Sequence, residues 1–119
     1  MVYPGELDIV ILQGATFRRS FVWKTGPLQE PVNLAGAEIR MQIRYAKPDD
    51  QVLMEASTDN GLIVIEDAES GAFAIEIPGE TTAEYDFLTG VYDIEVKVSS
   101  GEIFRLVEGR MKLSQEVTR

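Results

Sequence analysis

Apolar and polar positions alternate strictly from Ala37 to Tyr45, read Ala-Glu-Ile-Arg-Met-Gln-Ile-Arg-Tyr. Ile39, Met41, Ile43 and Tyr45 share one parity, and Glu38, Arg40, Gln42 and Arg44 share the other. A period of two belongs to a half-buried strand, since a helix repeats every 3.6 residues. Such a strand needs neighbours for its backbone groups and a second layer over its apolar face. A second clean alternation runs from Val91 to Val98, with Tyr92, Ile94, Val96 and Val98 set against Asp93, Glu95 and Lys97.

The rest of the chain supplies further strands. Leu7 to Leu12 predicts a first strand, mostly buried, ended by Gln13-Gly14-Ala15. Thr16 to Lys24 predicts a strand that turns Phe17, Phe21 and Trp23 to the core, with Arg19 near an edge or paired. Pro31 disfavours a regular interior strand, and Leu34 is expected to plug the core from a loop. After the turn Lys47-Pro48-Asp49-Asp50, Val52 and Met54 predict a weak strand pairing back on the central one. Asn60-Gly61 suits positive φ. Short strands follow at Leu62 to Glu66 and at Phe73, Ile75 and Ile77. Residues 80–87 hold the one plausible helical turn, with Thr81 or Thr82 as its cap and Glu84 near its positive end. Ser99 to Glu102 predicts a hairpin into Ile103 to Leu113. Within that last strand Phe104 and Leu106 sit on one phase, and Val107, Met111 and Leu113 on the other. A bulge or a bend near Gly109 accounts for the change. About eight short strands separated by turns predict an all-β antiparallel sandwich, and residues 1–119 read as a single domain.

Composition narrows the chemistry. The chain has no cysteine and no histidine, so disulfides, thiolate chemistry, Cys/His zinc sites and a Ser-His-Asp triad are excluded. Its net charge is −9, which repels phosphate backbones and anionic bilayers, so neither nucleic acid nor membrane is an expected partner. No basic segment followed by an apolar run opens the chain, so no signal peptide is expected. The carboxylates Asp49-Asp50, Glu66-Asp67-Glu69 and Asp93-Glu95 lie in turns or on polar strand faces and read as solvated charge. Asp59-Asn60-Gly61 and Asp67-Ala68-Glu69 lack the spacing of a calcium loop. No catalytic residue, metal or cofactor is expected. Phe17, Phe21 and Trp23 fit a stacking platform for a sugar or a base, but at period two they fit a core better.

The order of segments resembles small β-sandwich proteins of tailed-phage and prophage structural modules. The resemblance is carried by Gln13-Gly14-Ala15-Thr16-Phe17 and Phe21-Val22-Trp23, by Pro31 to Ala37 leading into Arg40 to Arg44, by Gly71-Ala72-Phe73, by Gly90 to Glu95, and by Glu108-Gly109-Arg110 with Glu116 to Arg119. More distantly the chain is similar to the immunoglobulin-like N-terminal domain of phage upper baseplate proteins. That resemblance implies an immunoglobulin-like sandwich and a non-enzymatic virion protein assembled in the bacterial cytoplasm. Its partners would be other virion proteins, with several copies on a symmetric ring. Within that family a tail-associated adaptor docking fibre or baseplate components is the leading expectation, and a capsid decoration protein the alternative. Outside it stand a carbohydrate-binding module, which requires an exposed Trp23, and a hydrolase. Tyr3, Arg40, Arg44, Val117 and Arg119 are the candidate interface residues, chosen for expected exposure.

Overall fold

The alternation around Met41 becomes one strand of a large sheet, and every other element is placed by how it covers or extends that sheet. The computed structural model describes residues 5–119. In chain order they form β1 (Gly5–Glu6), β2 (Ile9–Leu12), β3 (Phe17–Val22), β4 (Lys24–Thr25), β5 (Glu30–Pro31), β6 (Glu38–Arg44), β7 (Met54–Ser57), β8 (Ile63–Asp67), β9 (Ala72–Ile77), the helical turn α1 (Gly79–Thr82), β10 (Thr89–Lys97) and β11 (Ile103–Ser114). Eight of these strands are four residues or longer, which matches the expected number.

The larger sheet runs β7, β6, β10, β11, and both β1 and β2 then border β11. The smaller sheet is β3-β9-β8, and β4-β5 is a separate ribbon. Pairing is antiparallel except where β1 and β2 run parallel to β11. Ile39, Met41, Ile43, Ile94 and Val96 from the larger sheet and Ile63, Phe73, Ile75 and Ile77 from the smaller one belong to one buried core. Leu34 enters that core from its loop at 0% exposure. The chain is therefore an immunoglobulin-like β-sandwich, one sheet bearing β6, β10 and β11 and the other β3, β9 and β8.

The phase change in the last strand is a bulge. Ile94 pairs with Val107 while Glu95 pairs with Arg105, so Leu106 is the extra residue. It keeps Phe104 on one side of the bulge and Met111 on the other both facing the core side. Gly109 has a different task from the one its position suggested. A side chain there would run into the Leu7 carbonyl oxygen, so its bare backbone lets the N-terminal segment close on β11. Around it the Leu7 N–H donates to the Glu108 carbonyl at 3.0 Å, and the Arg110 N–H donates to Asp8 Oδ1 at 2.9 Å.

Two expectations need correction. The first strand begins at Ile9, and Val10 and Leu12 are 53% and 56% exposed. It borders the sheet and is covered on one face only, so it alternates instead of being mostly buried. The helical turn is Gly79–Thr82 with Pro78 before it and no side-chain cap. Thr82 ends this turn instead of capping its start, and its hydroxyl donates to the Ala15 carbonyl at 2.8 Å and accepts the Gly14 N–H at 3.0 Å. The aromatics of β3 and its end, Phe17, Phe21 and Trp23, do pack against the core as expected, half-buried around Phe73 of β9 at its centre. Phe21 stacks on Phe73 with centroids 5.2 Å apart.

Candidate functional site

In a sheet, residues paired across strands point to the same side, so the register identifies the uncovered face. Ile39, Met41 and Ile43 point inward, which leaves Glu38, Arg40, Gln42 and Arg44 outside. The pairings of β10 and β11 then place Asp93, Glu95, Arg105, Glu108, Arg110 and Lys112 on that outer face. Six of the eleven cationic side chains point outward here: Arg40, Arg44, Lys97, Arg105, Arg110 and Lys112. Six carboxylates balance them: Glu6, Glu38, Glu55, Asp93, Glu95 and Glu108. The face is thus neutral, and the net charge of −9 resides on the rest of the molecule.

The charges are ordered in rows across the strands. Arg40, Glu95 and Arg105 form one row. Glu55, Gln42, Asp93 and Glu108 form the next. Arg44, Val91 and Arg110 form a third, and beyond it Val10, Lys112 and Thr89 form a fourth. Around the first two rows lies a shallow depression of about 350 Å³. Three ion pairs lie in or beside it. Arg105 Nε lies 3.4 Å from Asp93 Oδ2, Lys47 Nζ 3.1 Å from Glu108 Oε2, and Arg40 Nε 3.9 Å from Glu55 Oε1. Exposed pairs of this kind contribute about 0–1 kcal/mol each and exchange partners readily.

A second depression, of about 620 Å³, lies at the other end of the face and is lined by Val10, Tyr45, Val91, Arg110 and Lys112. Among the described residues neither Arg110 nor Lys112 forms an ion pair, whereas Arg18, Arg40, Lys47 and Arg105 do. Tyr45 was expected on the buried parity but is 55% exposed. Its strand ends at Arg44, so Tyr45 leaves the sheet's phase.

The expected interface residues are scattered. Tyr3 lies outside the described residues. Arg40 and Arg44 share the outer face, Arg44 donating to the Asp49 carbonyl at 2.6 Å and to Gln42 Oε1 at 2.9 Å. Val117 is 92% exposed and Arg119 is exposed at the chain end. That tail follows Gln13, whose Oε1 accepts the Glu116 N–H at 2.9 Å, so it leaves the sheet beside β2, three strands from β6. Val10, Arg110 and Lys112 were not among the expected interface residues, and Tyr45 was expected on the buried face of β6. A signal for the two cations was present, because Arg110 and Lys112 alternate with Met111 and Leu113 after Gly109.

Trp23 is half-buried and packs on Phe104 with centroids 5.3 Å apart, beside an apolar crevice of about 230 Å³ between the sheets. It belongs to the core side of β3 and not to an exposed aromatic strip. Tyr92 is buried, and half-buried Tyr85 has a buried hydroxyl. Tyr92 is 4% exposed and its hydroxyl donates to the Leu7 carbonyl. Burial pushes its pKa up to about 12; Asp8 adds to the rise and Arg19 opposes it. Burial alone pushes Tyr85 up to about 12, and its hydroxyl has no hydrogen-bond partner among the described residues.

No family model matches the sequence, and no curated protein matches it. Among solved structures the chain is similar to a chicken TCR, with a TM-score of 0.55 and 14% identity over 97% of this chain and 56% of that one. It thus spans just over half of the TCR chain's length. It is also similar to the extracellular domain of the voltage-gated sodium channel beta4 subunit, with a TM-score of 0.48 and 8% identity over 98% of each chain. A third likeness is to Drosophila OTK extracellular domains 3-5, with a TM-score of 0.39 and 10% identity over 97% of this chain and 35% of that one. Register, layer order and the TCR likeness agree on an all-β protein of immunoglobulin-like fold.

Proposed function

We propose that this chain is a non-enzymatic docking protein and, within that class, a tail-associated adaptor of a bacteriophage virion that joins fibre or baseplate components. The observation that carries the docking reading is the outer face of the larger sheet. It concentrates six of eleven cations in a molecule whose net charge is −9, and no second sheet lies over it, although the loop after β6 reaches it through Lys47 and Asp49. Two like-charged proteins repel over most of their surfaces, so contact is least opposed where the charge is locally balanced. The virion assignment is supported by the motifs from Gln13 to Arg119 that resemble phage structural proteins.

Immunogold electron microscopy of intact particles, with antibodies raised against this chain, tests the assignment. Label at the tail, neck or baseplate is expected. Label over the capsid replaces the adaptor with a decoration protein. Absence of label, with the epitope shown to be accessible, removes the reading of an exposed virion component.

A further inference from the structure

The depression at the Val10 end of the larger sheet differs from the rest of the outer face. Val10, Leu12 and Tyr45 are 53%, 56% and 55% exposed, and Val91 lies among them. Arg44, Arg110 and Lys112 border them. One carboxylate, Asp8, reaches the site, and its Oδ1 already accepts the Arg110 N–H at 2.9 Å. Apolar side chains left in water and cations without ion pairs therefore coincide in an acidic molecule. Each is common singly, but together they describe a surface complementary to carboxylates set among apolar side chains.

We infer that this depression, formed by Val10, Tyr45, Val91, Arg110 and Lys112, binds an acidic, apolar-rich segment of a partner protein. Its apolar side chains cover Val10, Tyr45 and Val91, and its carboxylates pair with Arg110 and Lys112. The inference rests on the docking reading of the sheet face and not on the virion assignment.

Physical reasons favour a protein segment over other anions. Charges separate within a Debye length of about 8 Å at physiological salt, so the local cations act only on groups already at the surface. A polyphosphate or an anionic bilayer extends past the depression onto the surrounding acidic surface and is repelled there. A short segment with two or three carboxylates among apolar side chains meets less of that repulsion, because it stays over the local cations. The depression of about 620 Å³ is also an open trough, which encloses a small molecule poorly. A segment several residues long can lie along it.

The test uses an acetylated, amidated Leu-Glu-Leu-Glu-Leu-Glu hexapeptide, its Leu-Gln counterpart, and vesicles containing phosphatidylserine. Amide shifts of the ¹⁵N-labelled chain locate any binding. The expected result is saturable shifts at Val10, Tyr45, Val91, Arg110 and Lys112. Affinity should fall about fivefold for the Gln peptide, because two partly exposed ion pairs are lost. R110E/K112E should bind the Glu peptide at least fivefold more weakly, with R110Q/K112Q as a milder pair should the reversal fail to fold. Equal binding of the Glu and Gln peptides overturns the inference. So do shifts confined to another face, absence of binding at millimolar peptide, and binding to vesicles in place of the peptide. If the R110Q/K112Q chain still labels particles normally, the segment is not what attaches it, and the adaptor reading stands without this inference.

Discussion

Gly109 is where the N-terminal strands close on the sheet. A Cβ at that position meets the Leu7 carbonyl oxygen, which is backbone and cannot swing away. Gly109→Ala is expected to cost about 2 kcal/mol as an overpacking change, read as a lower urea midpoint with an unchanged slope. An unchanged midpoint would show that Leu7 can move aside. The hydroxyls of Tyr92 and Tyr85 make opposite demands. Tyr92→Phe leaves the Leu7 carbonyl without its donor and is expected to destabilise by about 1–2 kcal/mol. Tyr85→Phe removes a hydroxyl with no partner, so it is expected to be neutral or stabilising by up to about 1 kcal/mol. Both phenols titrate near 12 in the folded chain against an ordinary 10.0. The unfolded chain therefore loses these protons first as pH rises. The stability they supply is whole below pH 10 and is lost between 10 and 12. Urea unfolding at several pH values should show a shallower fall above pH 10 in Y85F/Y92F than in the parent. An equal fall in both would assign the alkaline sensitivity to other groups.

Among the elements, β11 is the least regular and the most informative. Its bulge inserts Leu106 between two stretches that both keep the alternation of their β10 partners. Deleting Leu106 therefore restores a plain ladder without turning any side chain over. The ΔLeu106 chain is expected to fold, with the emission of Trp23 still blue-shifted by its packing on Phe104. Deleting Glu95 from β10 instead reverses the facing of one half of a strand paired on both sides, and cooperative melting should disappear. If both deletions behave alike, register is not what holds this sheet. The same strand shows what was legible beforehand. Phe104, Val107 and Met111 revealed a phase change, and its cause was one of the two proposed. Gly109 drew attention for that reason, yet its actual constraint is Leu7, a residue 102 positions earlier that no local pattern connects to it. The helical turn begins and ends earlier than expected, and Thr82, its last residue, bonds Gly14 and Ala15 across the fold.

At the scale of the whole molecule, the outer sheet face is neutral and the charge of −9 lies elsewhere, so folding gathers like charges over the remaining surface. Raising sodium chloride from about 10 mM to about 150 mM shortens the screening length from roughly 30 Å to roughly 8 Å. Stability is expected to rise by roughly 1 kcal/mol as self-repulsion is screened, seen as a higher melting temperature. A fall would mean that the exposed ion pairs of Arg18, Arg105 and Lys47 outweigh the repulsion. Periodicity is local, and it was enough to read the strands at Met41, Ile75 and Ile94, the burial of Leu34 and the sandwich class. Composition likewise needs no fold to exclude thiol and imidazole chemistry. Which strands border the sheet is a matter of long-range pairing. Only that pairing sets Val10 beside Lys112 and Arg110 beside Val91, and leaves Tyr45 in water past the end of its strand. The docking face is therefore a product of register: residues far apart in the chain become neighbours only once backbone hydrogen bonds have chosen their partners.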